Sequence, residues 1–388
     1  MQFELTEQQK QALKKTKEWW KNPYKRVWEI SGAAGTGKTT IVYHLIEEIG
    51  LSHNEVLFMA YIGKATLALA RKGNFAQTIH STIYDLVEVP ERDSNGRPIL
   101  IEGRPKTTIS FVKKQKLPSN IKLLVVDEAL MVSEGIALDI LSFGIPVIAL
   151  GDRNQLDPVF GAPYFLKKPD ITLTEPMRQS LDSPILYLAN KAMRGEYIKK
   201  GKYDNCYVID KEMLNDNMLI DADCVLCGRN TTRDKINQHV RYDVFKHKTA
   251  YPSIGEKLIC RQNNWKLCLD DNIFLINGMV GFMDNIYLET YNGRSVNIDF
   301  RPDFLTNSAF KNISIDYRHL TERLDTTSKK RSFYNKFEYA YAISIHLAQG
   351  SEWDNVLIYN ESYGTVEYRK KSLYTAITRA KKQLILAL

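Results

Sequence analysis

Residues 32–39 read Gly-Ala-Ala-Gly-Thr-Gly-Lys-Thr, directly after the apolar run at 27–30 and before a helical pattern at 40–49. This is G-x-x-x-x-G-K-T between a predicted strand and a predicted helix. Its glycines let successive backbone N–H groups turn towards a polyanion, and the helix adds its positive N-terminal end. Lys38 can then reach the β- and γ-phosphates, and the Thr39 hydroxyl can bind Mg²⁺. A glycine-rich turn that matches by chance is the alternative, and the flanking elements favour a nucleoside triphosphate site.

The composition allows a polyanionic partner and argues against a membrane protein. The 388 residues carry 53 Lys and Arg against 45 Asp and Glu, a net charge of +8. A chain of this length is expected to form two or three domains. No stretch approaches the roughly 18 apolar residues of a membrane span. The N-terminal residues lack an apolar signal core, so we expect a cytoplasmic protein with no membrane partner.

The five cysteines are sparse, which suits a reducing compartment. Cys224 and Cys227 form a C-x-x-C pair inside an apolar run, and no second pair lies at metal-ligand spacing. We therefore predict buried structural thiols at these positions.

The first half of the chain alternates short apolar runs with helical patterns, which is typical of a parallel α/β sheet. The predicted strands are 26–30, 56–60, 123–126 and 147–150. Residues 84–119 interrupt this alternation with a polar, β-rich segment around Asn95-Gly96. There the strands 86–89 and 99–101 are predicted to form an inserted hairpin.

A second α/β unit is predicted to begin near Leu173. Its predicted elements are helices at 184–193 and 231–240 and strands at 224–227 and 356–359. A second β-rich insert follows Gly278, with predicted strands at 279–282, 286–289 and 295–300 and a turn at Asn292-Gly293. This alternation is typical of a small antiparallel barrel.

Two carboxylates end the predicted strand at 123–126. Asp127 is placed to hold Mg²⁺ through water beside the phosphate loop, and Glu128 to polarise the attacking water as general base. Such a pair can also be only a helix cap. Its position after four apolar residues, and well beyond a phosphate loop, favours the catalytic interpretation.

Six motifs resemble those of superfamily 1 helicases and occur in the same order. They read GAAGTGKT, VVDEA, GDRNQLDPV, LTEPMRQ, YAISIHLAQGSEWD and LYTAITRAKKQ. The set is most similar to the RecD-like 1B branch and, within it, to the compact phage Dda helicases. This resemblance implies an α/β fold with two RecA-like parallel-sheet domains, at 1–172 and 173–388. It also implies a small β-hairpin insert (1B) at about 84–119 and a small β-barrel insert (2B) at about 278–336.

The resemblance implies a catalytic set divided between the two domains. Its members are Lys38, Glu128 as base, Gln155 as γ-phosphate sensor, and the arginines Arg178 and Arg379. Both arginines lie in the second half, so closing the cleft would bring them onto the γ-phosphate. The implied cofactors are ATP and Mg²⁺, with Thr39 and Asp127 as the metal ligands.

Nucleotide contacts are implied along the loop and at three further places. The residues are Gln9, Gly32, Ala33, Ala34, Gly35, Thr36, Gly37, Lys38, Thr39, Thr40, Gly350 and Glu352. Gln9 resembles the family's adenine-reading amide, with Gln8 as the neighbouring candidate. Gln9 also fits an ordinary helix N-terminus capped by Thr6, and the two roles are compatible.

Single-strand contacts are implied in segments that follow short strands. The residues are Tyr61, Lys64, Thr78, His80, Ser81, Thr82, Ser344, His346 and Gln349. Hydroxyls, imidazoles and backbone N–H groups suit phosphate contacts without base preference. Tyr61 could stack on a base or only pack. The hairpin tip at 93–98 would be a strand-separating pin braced by the second insert, unless both inserts are decoration.

The resulting expectation is an ATP-dependent DNA helicase that translocates 5′ to 3′ on single-stranded DNA and unwinds duplex. Its partners would be single-stranded DNA and single/double-strand junctions, acting as a monomer, with a single-strand-binding protein left open. The alternatives are an RNA helicase or remodeller of the Upf-like branch and a nucleotide-gated single-strand binding module. A preference for poly-dT over poly-U would separate DNA from RNA.

Overall fold

A computed structural model describes the chain at residues 5–22, 24–61, 66, 69, 75–101, 104–105, 107–158, 162–175, 183–249, 251–269, 273–287, 295–321 and 334–388. The α-helices are α1 (Glu7–Lys21), α2 (Lys38–Ile49), α3 (Ile79–Ile83), α4 (Glu134–Ser142), α5 (Pro184–Arg194), α6 (Asp216–Asp221), α7 (Asn230–Gln238), α8 (Arg318–Thr321) and α9 (Val366–Ile377). A π-helical turn, His239–Val244, continues α7. Within these ranges no helix has the length and apolar character needed to cross a bilayer.

The strands of the first half are β1 (Val27–Gly32), β2 (Val56–Ala60), β3 (Ala76–Thr78), β4 (Tyr84–Pro90), β5 (Leu100–Ile101), β6 (Arg104–Pro105), β7 (Thr107–Lys113), β8 (Leu123–Val126), β9 (Val147–Gly151) and β10 (Ile171–Leu173). Those of the second half are β11 (Gly201–Tyr203), β12 (Cys206–Ile209), β13 (Cys224–Cys227), β14 (Lys257–Cys260), β15 (Asn264–Leu269), β16 (Ile273–Leu275), β17 (Val280–Tyr287), β18 (Ser295–Pro302), β19 (Phe310–Asp316), β20 (Phe337–Tyr339), β21 (Ala342–Ser344), β22 (Trp353–Tyr359) and β23 (Ala380–Ala387).

The first sheet is parallel throughout and has the order β10-β1-β9-β8-β2-β3. Strands β2, β8 and β9 are buried at every residue, because helices and loops cover both faces of the sheet. Helices α1 and α2 pack on one face, whereas α4 packs on the other. The four strands predicted in this half are confirmed.

The second sheet has the order β11-β12-β23-β22-β13-β21, and only the edge pair β11–β12 is antiparallel. The predicted pair of parallel α/β sheets is therefore confirmed. Cys224 and Cys227 lie on β13, an inner strand of this sheet, as buried thiols, as predicted. Burial raises the pKa of Cys227 to about 12, so this thiol stays protonated at neutral pH. The domain boundaries themselves stay a prediction.

The inserted hairpin differs from its prediction in its pairing. Strand β4 pairs with β7 from Tyr84↔Lys113 to Pro90↔Thr107, and not with residues 99–101. The turn at Asn95-Gly96 is present, with Gly96 at φ +78°, and it closes a short ladder that contains the bridge Arg92↔Pro98 and the hydrogen bond from the Ile99 N–H to the Glu91 carbonyl. The predicted pairing of 86–89 with 99–101 was therefore wrong. The seven-residue β7 offers a longer ladder of cross-strand pairs.

The second insert forms a five-stranded antiparallel sheet with the order β19-β18-β17-β14-β20. A parallel bridge joins Ile315, in the edge strand β19, to Asn335, just before the other edge strand β20. Closure into a barrel stays a prediction. This sheet includes β14, so it contains residues that precede the predicted start of the insert at about 278. The two strands predicted at 279–282 and 286–289 are one strand, β17, with a bulge between Met283 and Asn285. The Asn292-Gly293 turn lies outside the described residues.

Candidate nucleotide site and single-strand interface

The phosphate loop connects β1 to α2 with the geometry that its glycines allow. Gly35 and Gly37 have φ of +74° and +77°, in the left-handed region that favours glycine. A Cβ on Gly32 would lie 2.5 Å from the Thr36 hydroxyl oxygen, so a side chain there would clash. The loop is thereby bent tightly at the N-terminus of α2, which begins at Lys38.

Lys38 points back over the loop. Its ammonium donates to the carbonyls of Gly32 at 2.7 Å and Ala33 at 3.2 Å. The Thr36 hydroxyl donates to the Ala33 carbonyl at 2.8 Å. Thr39 and Thr40 lie half-exposed on the first turn of α2. The cation is therefore held above the loop, where a polyphosphate would lie.

Gln9 lies against this loop and is buried. Its amide oxygen accepts the Thr6 N–H and its amide nitrogen donates to the Thr36 carbonyl, both at 2.9 Å. The capping box with Thr6 is confirmed, and the adenine contact stays a prediction. The neighbouring Gln8 accepts the N–H groups of Thr174 and Glu175 at 2.9 Å. The two glutamines therefore tie α1 to both the loop and the end of β10.

Asp127 and Glu128 follow β8, as predicted. Glu128 has φ +50° and ψ +40°, a left-handed conformation that is uncommon for a non-glycine residue and often marks a functional site. Burial raises the pKa of Glu128, and the charge of Asp127 raises it further, whereas Arg379 and Lys38 lower it. Part of the residue stays accessible although its carboxylate lies deep among protein atoms. A carboxylate with a raised pKa is a suitable proton acceptor near neutral pH.

Arg379, in the turn before β23, acts on this carboxylate electrostatically. It is buried, and its guanidinium donates to the carbonyls of Thr375 at 3.1 Å and Ser351 at 3.2 Å and to the Thr378 hydroxyl at 3.1 Å. These bonds hold the positively charged guanidinium of Arg379 at the cleft between the two sheets. Arg178 lies outside the described residues.

The loop after β9 docks into the second sheet. The Leu156 N–H donates to the Thr375 hydroxyl at 2.9 Å, and the Leu156 carbonyl accepts from the Gln349 amide at 2.6 Å. The Leu156 side chain packs within the core of the second sheet. Gln155, the predicted sensor, is buried next to it. The predicted sensor is thus attached to the domain that carries Arg379.

Tyr374 on α9 makes a further connection that the sequence reasoning missed. Its hydroxyl accepts the Ala34 N–H at 2.8 Å and donates to the Asp152 carboxylate at 2.5 Å. It belongs to the quoted motif LYTAITRAKKQ, but only its three-dimensional position reveals the contact.

A cavity of about 850 Å³ opens beside the phosphate loop between the two sheets. Gly32 and Ala33 at the start of the loop line this cavity, whereas Lys38, Thr39, Glu128 and Arg379 are not part of its lining, so the cavity adjoins the phosphate position and does not contain it. Its lining includes Arg153, Asn154 and Thr174 from the first half and Asn190, Arg194 and Lys371 from the second.

Among the described residues, no group of three or more His, Cys, Asp or Glu side chains is arranged to hold a metal ion. Mg²⁺ at a nucleotide needs only one or two protein oxygens, because phosphates and water supply the others. The Thr39 hydroxyl and the Asp127 carboxylate are donors of this type, so the residues present fit the ion.

The hydroxyl residues implied in DNA binding cap a short helix. Thr78 is the N-cap of α3 and accepts the Ser81 N–H at 3.3 Å. The Thr82 hydroxyl is buried and donates to the Thr78 carbonyl at 2.9 Å. Lys64 lies outside the described residues. The DNA contacts of this segment stay predictions.

The aromatic cluster, as we call it, joins this helix to both inserts. It consists of Tyr61, His80, Tyr84, Phe111, Trp265 and Phe274, all half-exposed. Ring centroids lie 5.5 Å apart for Tyr61–His80, 5.2 Å for His80–Trp265 and 4.8 Å for Phe111–Trp265. Burial lowers the pKa of His80, which is therefore neutral at physiological pH. The sequence singled out only Tyr61 and His80, because the other rings come from distant strands.

The residues between 344 and 352 that the resemblance implies in nucleotide or DNA binding lie in different environments. Ser344 is buried, and His346 stacks on Tyr368 with centroids 6.1 Å apart. Gln349 is buried and engaged across the cleft. Glu352 is exposed and pairs with Lys381 at 3.7 Å, and Gly350 has φ +71°. Their implied nucleotide and DNA contacts stay predictions.

The fold and the cleft define a P-loop protein in which two RecA-like sheets face each other across one candidate nucleotide site. Residues 18–161 match the family described as the AAA domain, and residues 339–387 match the UvrD-like helicase C-terminal domain.

Relatives extend this similarity over most of the chain. The ATP-dependent RecD2 DNA helicase of Deinococcus radiodurans is 26% identical over 93% of this chain and 47% of its own length. The RecBCD enzyme subunit RecD of Buchnera aphidicola is 24% identical over 92% of this chain and 69% of its own length. This chain thus spans about half the length of the RecD2 protein.

The fold is similar to a structure of two coordinating Pif1 helicases at forked double-stranded DNA. The TM-score is 0.54 at 18% identity, covering 100% of this chain and 92% of that chain. The chain is therefore similar in sequence to RecD-type helicases and similar in fold to Pif1 helicases. The narrower resemblance to the phage Dda helicases stays a prediction.

Proposed function

We propose that this chain is an ATP-dependent DNA helicase that moves 5′ to 3′ along single-stranded DNA and unwinds duplex. The observation that carries the proposal is that Glu128 interacts electrostatically with Lys38, at the start of α2, and with Arg379, in the turn before β23. Because the two cations come from different halves of the chain, hydrolysis at this carboxylate would depend on closure of the cleft.

Each group has a task in this mechanism. Glu128 accepts a proton from the attacking water, while Lys38 and Arg379 stabilise the charge on the γ-phosphate oxygens. Mg²⁺, held by Thr39 and Asp127, would neutralise charge between the β- and γ-phosphates. Gln155 detects the loss of the γ-phosphate, and Leu156 transmits its movement because it is bonded to Thr375 and Gln349.

The aromatic cluster is the proposed platform for single-stranded DNA. Bases stack on aromatic rings without sequence preference, which suits a protein that moves along its track. The rings come from the first half (His80, Phe111) and from the second insert (Trp265), so relative movement of the two would change the grip on a base. We expect the protein to act as a monomer at single/double-strand junctions.

The proposal is tested by unwinding of fluorescent duplexes that carry either a 5′ or a 3′ single-stranded tail. We expect ATP-dependent strand displacement with the 5′ tail only, and none with the Lys38→Ala variant, which should still bind DNA. Displacement from the 3′ tail alone would refute the polarity.

ATP turnover with poly-dT and with poly-U separates the alternatives. Stimulation by poly-dT alone supports the DNA helicase, whereas stronger stimulation by poly-U supports the RNA remodeller. ATP binding without stimulated turnover would leave only a nucleotide-gated binding module.

A further inference from the structure

Tyr374 is buried and yet carries a polar group. Its side chain is 1% exposed, and the hydroxyl lies among residues of the other sheet. A buried hydroxyl must find partners, because an unpaired one loses its hydrogen bonds to water. Here it finds two, and both belong to the first half of the chain.

The two partners have different roles in the site. One is the backbone N–H of Ala34, inside the phosphate loop. The other is Asp152, which is 1% exposed and also accepts the Asn154 N–H at 3.0 Å, in the turn that leads to Gln155. A hydroxyl can donate and accept at once, so one atom links the loop to the sensor turn.

We propose that Tyr374 is a positioning residue that couples the phosphate loop to the Gln155 turn and so makes ATP hydrolysis respond to DNA bound across both domains. This inference rests on the proposed function and adds a regulation of the same site. The next residue, Thr375, bonds Leu156, and the Thr375 carbonyl holds Arg379, so one helical turn touches the loop, the sensor turn and the arginine.

The chemistry of the side chain supports a lasting link. Burial, followed by the charge of Asp152, raises the pKa of Tyr374, so the hydroxyl keeps its proton and can donate throughout the physiological range. Phenylalanine would fill the same space and would leave the Ala34 N–H and the Asp152 carboxylate without this partner. Tyr374→Phe therefore removes the link with little change in packing.

The test compares Tyr374→Phe with Asp152→Asn and with the control Tyr203→Phe. Tyr203 donates one hydrogen bond to the Lys199 carbonyl at the far edge of the second sheet. We expect Tyr374→Phe to lower the DNA-stimulated kcat by about tenfold. The KM for ATP, the turnover without DNA and the Kd for a dT oligonucleotide should change less than the DNA-stimulated kcat. Every parameter of the control Tyr203→Phe should stay within about threefold of the unmodified protein.

A structural defect would give a different result. A merely misfolded variant would lose turnover equally with and without DNA and would unfold at a lower temperature. Because Asp152→Asn weakens the same link, the double variant should lose less than the product of the two single losses.

Unchanged DNA stimulation in Tyr374→Phe, or a double variant whose losses multiply, would overturn the inference. A protein that shows no DNA-stimulated turnover even when unmodified would instead overturn the proposed function. The two failures are thus distinguishable.

Discussion

Replacing Glu128 with Gln isolates the proposed proton transfer. The two side chains have nearly the same size, so packing around the left-handed residue is retained, but the amide cannot accept the proton from water. General-base catalysis contributes about 10²–10⁴-fold, so we expect kcat to fall by that factor. At 1.36 kcal/mol per tenfold, this corresponds to a barrier about 3–5 kcal/mol higher.

Binding of ATP should survive the same change. The Glu128 carboxylate lies near Lys38 and Arg379, and its removal leaves more positive charge for the phosphates. The affinity for ATP is therefore expected to stay equal or to increase. The assays are phosphate release at saturating dT oligonucleotide and binding of a fluorescent ATP analogue.

The matched control is Glu134→Gln, an exposed glutamate at the start of α4, which should leave both measurements unchanged. A Glu128→Gln variant that keeps more than about a tenth of the unmodified kcat would show that this carboxylate is not the base.

The other predictions concern the cleft, the DNA platform and the fold. Because Arg379 lowers the pKa of Glu128, Arg379→Ala should raise that pKa further. The acid limb of the pH–rate profile, where activity falls as the base is protonated, should then move to higher pH; an unmoved limb would argue against the pairing. Trp265→Ala should weaken binding of a labelled dT oligonucleotide by about tenfold, measured by fluorescence anisotropy, while turnover without DNA stays the same; unchanged affinity would exclude this ring from the platform. Glu256→Ala removes the carboxylate that pairs with the fully buried Arg241 at 2.8 Å, and should lower the free energy of unfolding in urea by about 3–5 kcal/mol; a loss below about 1 kcal/mol would mean that water reaches the guanidinium.

The sheets were predictable because buried parallel strands are continuous apolar runs. Such runs, as in β2 and β8, stand out from any neighbouring pattern. The hairpin pairing was not predictable by the same means. An Asn-Gly turn indicates where the chain reverses, but the strand that finally pairs depends on ladder length. Strand β14 was likewise missed as part of the second insert, since its partners β17 and β20 are distant in sequence.

Some residues of the candidate site were likewise predictable from local sequence, and others were not. Residues that follow a strand or start a helix, such as Lys38 and Glu128, were identified from local spacing. Tyr374 and Trp265 were not, because a buried tyrosine or a half-exposed tryptophan has no local pattern that separates function from packing. Gln349 also bonds the Leu156 carbonyl, a contact that its local pattern does not indicate, and its DNA contact stays a prediction.

The sequence by itself determined the phosphate loop, the two carboxylates after β8 and the order of the six motifs. These depend on residues that are neighbours along the chain, where backbone geometry leaves few choices. Only the tertiary structure decided what meets across the cleft. Arg379 comes within electrostatic reach of Glu128, and the Tyr374 hydroxyl lies between the phosphate loop and Asp152. The physical reason is that such contacts depend on how the two sheets pack against each other, which the spacing of residues along the chain does not determine.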